Sequence, residues 1–219
     1  VINRKTTMLQ NRMSQLVVFF AYCLATTALA QDAATADAKD AAAKAKPIKM
    51  VPLQLAGGKL PVAVPADWKA PKAARSRIIE KEFAVAPAEG DKIPGRLTMM
   101  RSGGSLKANI ERWFGQFTQP DGKSTKDVAK VTNKKINQQN ATIVDISGSF
   151  KETMGGGPFS GGKTVVREDY RMLGGIVQTP VGQYFFKLYG PAKTIAAAEP
   201  GFMKMMESVG GTAKSAPGN

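Results

Sequence analysis

The chain has 219 residues, with 31 Lys and Arg against 17 Asp and Glu, a formal net charge of +14, one cysteine and no histidine. The missing histidine excludes Ser-His-Asp and Cys-His arrangements, the commonest metal ligand and the usual general base near neutral pH. Carboxylates, Lys, Tyr and Ser remain for catalysis, and the positive charge favours anionic partners without specifying one.

Residues 1–30 read as a secretory signal. Arg4, Lys5 and Arg12 give a basic stretch, residues 16–30 contain an apolar core, and Ala28-Leu29-Ala30 offers a small-x-small cleavage site before Gln31. The apolar run is short for a membrane span. A mature chain starting near Gln31 would be secreted or periplasmic. It would lose Cys23, and with it any thiol, disulfide or cysteine-ligated metal, and its charge would fall to +11 without the three basic leader residues. Residues 31–58 are expected to be an Ala-rich linker, because QDAATADAKDAAAKAKP carries alternating Asp and Lys but no large apolar side chain. Within that stretch folded sequence is expected to start around Met50 to Leu55, a short apolar run that Gly57-Gly58 separates from KLPVAVPADW.

One domain is expected over 59–209. Residues 59–64 suit an edge strand, since Pro61 and Pro65 donate no ladder bond. Residues 78–85 and 96–102 alternate as half-buried strands, with a turn-rich segment between them. Gly103-Gly104 then ends the strand and Ser105 is placed as an N-cap, opening a helix over 104–118 whose stripe is Leu106, Ile110, Trp113, Phe114 and Phe117. Residues 118–135 are polar and basic and lead into a strand over 131–138. A turn at Gln139-Asn140 and a strand over 141–152 complete a meander. A glycine-rich loop spans 154–162.

The central feature is a hairpin over 170–190, YRMLGGIVQTPVGQYFFKLYG, whose arms alternate with period two on either side of Thr179-Pro180-Val181-Gly182. Lys187 is the one polar residue on the second arm. A helix follows over 192–209, with Phe202, Met205, Met206 and Val209 on one stripe. Pro200 either kinks it or begins a second helix. Residues 210–219 are expected to be a disordered tail. The fold class is α+β, an antiparallel sheet of five to seven strands with helices at about 104–118 and 192–209.

Three motifs compete for function. GPFSGGKT, residues 157–164, satisfies the phosphate-loop pattern, but its context is wrong: the strand before it alternates and a hairpin follows where a helix is needed. Glu80 and Glu82 share a strand face and are read as solvent-facing rather than catalytic. Trp113, Phe114, Phe117, Phe185, Phe186 and Tyr189 fall at helix and strand spacing, which assigns them to the core rather than to base stacking. The segment holding Lys123, Lys126, Lys130, Lys134 and Lys135, offset by Asp121 and Asp127, is the candidate partner-binding surface.

PADW, RLTMMRSGGSLKANIERWFGQF, ISGSF, YRMLGGIV, GQYFFKLYGP and FMKMMESV together resemble the small PsbP-like secreted domains of bacteria. The resemblance covers residues 59–209, and GGSLKANIERW and FFKLYGP are its specific parts. It implies a helix-sandwiched antiparallel sheet in a binding or accessory protein, with no catalytic residues. The metal-binding histidines of the photosystem members have no counterpart here, so it brings no oxygen-evolving role. The combined expectation is a secreted or periplasmic, non-catalytic binding protein without cofactor or metal, engaging an envelope protein or an anionic polymer. A nucleotide-binding or hydrolytic enzyme using GPFSGGKT is the alternative.

Overall fold

The computed structural model describes residues 47–72, 77–154 and 163–211. The segment expected to be a signal, most of the expected linker, residues 155–162 of the glycine-rich stretch and residues 212–219 lie outside them.

The described chain is α+β, with a seven-stranded antiparallel sheet, a separate two-stranded ribbon and three helices. The ribbon comprises β1 (Met50–Leu55) and β2 (Leu60–Pro65), joined through Ala56, Gly57 and Gly58, all at positive φ. Strand β1 falls inside the stretch assigned to linker. Folded sequence does start there, as expected of Met50 to Leu55, because Leu55 is fully buried with Leu60, Val62 and Val64.

The large sheet contains β3 (Lys81–Val85), β4 (Gly95–Arg101), β5 (Phe117–Thr118), β6 (Lys130–Ile136), β7 (Gln139–Met154), β8 (Lys163–Thr179) and β9 (Gly182–Pro191). Its order is β3-β4-β9-β8-β7, with β5 and β6 both pairing to β7, so the β8–β9 hairpin is central as its sequence indicated. The β8–β9 register runs from Tyr170↔Pro191 to Thr179↔Gly182.

Helix α1 (Leu106–Phe114) starts at Ser105, whose hydroxyl accepts from the Ala108 amide, as the capping pattern required. It ends earlier than expected: Phe117 belongs to β5 opposite Phe150, and burial there satisfies the same apolar side chain. The short helix α2 (Thr125–Val128) precedes β6. The β6–β7 turn also sits two residues earlier than expected, at Asn137 and Gln138, whose φ values of 46° and 67° suit a two-residue hairpin. Helix α3 (Ala192–Ser208) passes through Pro200 without a break. Pro200 and Ala196 are both exposed, so the carbonyl that proline leaves unpaired is on the wet side. Gly210, the first residue of the expected tail, donates to the Pro61 carbonyl at 2.8 Å and is tied to the ribbon.

Strand alternation sends one set of side chains to each face. On one face Trp113 and Phe114 of α1 meet Val144, Ile146, Met172, Ile176, Phe185 and Tyr189. On the other, Ile195, Phe202, Met205 and Met206 of α3 meet Leu97, Leu173, Val177, Phe186 and Leu188, with the ribbon and Trp68 joining them. Among the described residues, no helix is long and apolar enough to cross a membrane.

Candidate binding surfaces

The sheet divides the five candidate lysines. Lys123 lies in the loop after β5, where it pairs with Asp121 at 2.9 Å, and that pairing raises the lysine and lowers the carboxyl from their ordinary values. Lys126 sits on α2, 3.7 Å from Glu111 of α1. Lys130, Lys134 and Lys135 are all on β6, but strand alternation puts Lys130 and Lys134 on the α3 side and Lys135 on the α1 side. The lysines therefore form a band along one sheet edge rather than one patch. Lys130 also borders a shallow groove with Arg171 and Asp145. Arg171 makes a bidentate pair with Asp145, 2.8 Å for each bond, and reaches Glu199 of α3 at 2.9 Å. The bond to Asp145, and then that to Glu199, hold its pKa above the ordinary value.

The paired glutamates were expected to face solvent, and Glu80 does, whereas Glu82 does not. Glu82 is nearly buried and accepts from Arg96 Nε and Nη2 at 2.8 and 3.2 Å. Glu80 accepts from the Tyr184 hydroxyl at 2.8 Å and from the Ala56 amide at 2.7 Å, joining the sheet to the ribbon turn. Burial, reinforced by Glu80, pushes the Tyr184 phenol up to about 12. Alternation put both glutamates on one face, but Glu80 lies just before β3 and meets Tyr184 of the α3-side core, while Glu82 meets Arg96 beside Tyr189 of the α1-side core.

Arg96 lies at the centre of a second arrangement, which no local motif announces. Its Nη1 donates to the Tyr189 hydroxyl at 2.6 Å. Burial opposes the Arg96 charge, but the bonds to Glu82 and Tyr189 outweigh it and keep the guanidinium protonated. A cleft of about 250 Å³ opens beside it, bordered by Arg96, Glu82, Tyr189 and Tyr170 and by the Arg167–Glu152 pair, whose bond is 2.9 Å. Phe83, Ile93, Pro71 and Pro94 add apolar wall. Tyr170 stacks on Phe150 with centroids 6.0 Å apart and 4° between the planes. Desolvation holds the Tyr170 and Tyr189 phenols above their ordinary values, against the pull of the nearby arginines.

Lys187, behind this cleft, is half-buried. Its ammonium lies 5.1 Å from the Phe150 centroid and 4.9 Å from that of Tyr189, and it donates to Gln116 Oε1. Burial, with Arg96 nearby, pulls its pKa down to about 7. A lone lysine on an otherwise apolar arm was the signal in the sequence for this site.

Residues 157–162 of GPFSGGKT lie outside the described residues. Lys163 and Thr164 open strand β8, antiparallel to β7 and opposite Met154 and Thr153, whereas a phosphate loop needs a helix N-terminus there. Among the described residues, no group of three or more Asp and Glu side chains is arranged to hold a metal ion.

No family model matches the chain, and no curated protein is significantly similar to it. Solved structures similar to it include the cyanobacterial PsbP of Synechocystis, at 11% identity, TM-score 0.44, and 76% and 94% coverage of this chain and that one. A Pseudomonas aeruginosa protein of unknown function is 13% identical with a TM-score of 0.39, covering 77% of this chain and 99% of its own. The Saccharomyces cerevisiae Ran-binding protein Mog1p is 9% identical with a TM-score of 0.42, covering 74% and 95%.

Proposed function

We propose that the chain is a non-catalytic binding or accessory protein of the cell envelope, secreted or periplasmic, that holds an acidic, extended segment of a partner protein along strand β6. The supporting observation is the state of that strand. Among the described residues β6 pairs only with β7 and no ion pair reaches its Lys130, Lys134 or Lys135, and five of its seven residues are exposed. Val128 and Val131, 42% and 44% exposed, give the same edge an apolar component. Lysines on an edge strand repel a second copy of that strand. The same charges attract an acidic strand, to which the unpaired backbone offers ladder bonds. Each exposed charge pair contributes only about 0.2–1 kcal/mol, so binding is weak and falls as salt rises.

The test is fluorescence anisotropy of the full chain with a labelled peptide alternating Glu and Val, at low and high salt. Wild type binds at low salt, and a variant with Lys126, Lys130 and Lys134 changed to Glu does not. Equal binding of both proteins overturns the reading, and tighter binding of a polysaccharide polyanion than of the peptide reassigns the surface to a polymer. The competing nucleotide-binding enzyme rests on the GPFSGGKT pattern alone. A nucleotide affinity that disappears in Lys163→Ala would restore it.

A further inference from the structure

The cleft between the Arg96–Glu82 and Arg167–Glu152 pairs lies apart from β6 and has a different chemistry. Its lining carries two guanidinium groups and two carboxylates, so its charge is balanced in spite of the chain's basic surplus. An anion or a cation entering it would have to compete with a pair already made at 2.8 to 2.9 Å. A neutral ligand would not, because each pair sets donors and acceptors side by side, the arrangement that matches vicinal hydroxyls.

The rings of Tyr170, Tyr189 and Pro71 form much of the remaining wall. Such rings suit the C–H face of a saturated ring. At about 250 Å³ the space is smaller than a drug-sized pocket and fits one ring-sized group. The second, independent observation is the Tyr170 hydroxyl. Tyr170 is 7% exposed, its ring is held on Phe150, and its hydroxyl makes no hydrogen bond among the described residues, although it borders the cleft. The hydroxyl opens on the cleft, where a ligand hydroxyl takes the place of water as its partner.

We infer that this cleft is a binding site for a neutral, ring-sized polyhydroxylated ligand, a single sugar residue within a glycan. The hydroxyls of the sugar are shared between the two ion pairs and Tyr170, and its C–H face rests on the aromatic wall.

The experiment is saturation-transfer NMR on the full chain with glucose, galactose, N-acetylglucosamine and their short β-linked oligomers, with acetate and tetramethylammonium as charged competitors. Wild type transfers saturation to the ring protons of at least one sugar. Tyr170→Phe, which retains the ring on Phe150, weakens that sugar about tenfold, a loss on the scale of one hydrogen bond. Lys134→Glu leaves it unchanged. Absence of transfer to every sugar, undiminished binding by a Tyr170→Phe protein that melts like wild type, or displacement of the sugar by acetate or tetramethylammonium at equal concentration would each overturn the assignment.

Discussion

The Trp113 indole packs directly against the backbone of Gly174: a Cβ built at position 174 would stand 2.3 Å from Cζ3 of the ring. The next residue does the same on the opposite face, where a Cβ on Gly175 would meet Met206 Cε at 2.4 Å. Consecutive strand residues face opposite ways, so the Gly-Gly pair in the central strand lets α1 and α3 both approach the sheet closely. The two contacts differ in what must yield. Trp113 is rigid and wedged edge-on to Phe185, with centroids 6.0 Å apart, whereas Met206 presents the far end of a flexible side chain. Gly174→Ala should lower stability by about 2–3 kcal/mol through overpacking. Gly175→Ala should change it by less than about 1 kcal/mol, because restricting the unfolded chain offsets a small rearrangement of Met206. Urea unfolding of the two variants checks this, and equal losses would show that the helices are not held as described.

Asn137 joins the β6–β7 turn to the end of α3, its amide donating to the carbonyls of Glu207 and Val209 at 2.9 and 3.0 Å. It also adopts φ 46°, a conformation Asn tolerates better than most residues. Asn137→Gly retains the turn and removes the two bonds, and Asn137→Ala loses both features. The expected losses are about 1 kcal/mol for Gly and about 2 kcal/mol for Ala. Gln138, at φ 67° without such a role, should gain about 0.5–1 kcal/mol on replacement by Gly. Thermal melts of the three variants would rank them, and a Gln138→Gly that destabilises would contradict the turn.

Glu82 is the buried half of its pair, with its side chain 7% exposed against 27% for Arg96. Replacing Glu82 by Ala leaves a partly desolvated guanidinium with only Tyr189 among its described hydrogen-bond partners, an expected loss of about 2–3 kcal/mol. Arg96→Met together with Glu82→Leu should recover most of that loss, because an apolar pair avoids the desolvation altogether. A double-mutant cycle by denaturation gives the coupling, and additive losses would show that the two residues do not act as a pair.

The parts of the fold carried by side-chain period were legible in the sequence. The hairpin over 170–190, the Ser105 cap and the stripe of α3 each arise from residues close together in the chain, and the structure contains all three. What was missed depends on distant partners. Phe117 suits a helix stripe until Phe150, 33 residues later, is placed opposite it. MVPLQL marked the start of folded sequence, but did not show that it pairs with β2 as a separate ribbon. The cleft joins residues from β3, β4, β7, β8 and β9, and no spacing rule brings Glu82, Glu152 and Tyr189 together. The lysines of β6 were visible as a cluster. Their division between two faces follows from strand alternation once the strand is known to begin at Lys130.

Lys187 should make stability depend on pH. Its neighbours are Gln116, the rings of Phe150 and Tyr189, and the Arg96 charge that Glu82 balances. In the folded chain the ammonium loses its proton near pH 7, against 10.5 for an ordinary lysine. Below about pH 7 both folded and unfolded chains carry the proton, and this group adds no slope. Between about pH 7 and 10 only the unfolded chain carries it, so unfolding takes up a proton and stability rises with pH. The phenols of Tyr170, Tyr184 and Tyr189, all raised, stay protonated in both states below about pH 9, which leaves that window to Lys187. Because Lys187 is not fully enclosed by solvent exposure, the expected gain from about pH 6 to about pH 9 is about 2 kcal/mol, below the full linkage value. Lys187→Met keeps the stem on the two rings and removes the proton. It should abolish this rise and be more stable than wild type at about pH 6, where burial of the charge weighs most. Urea midpoints across the range, taken for both proteins in one buffer series, measure the difference, and parallel curves would mean that Lys187 keeps its proton throughout.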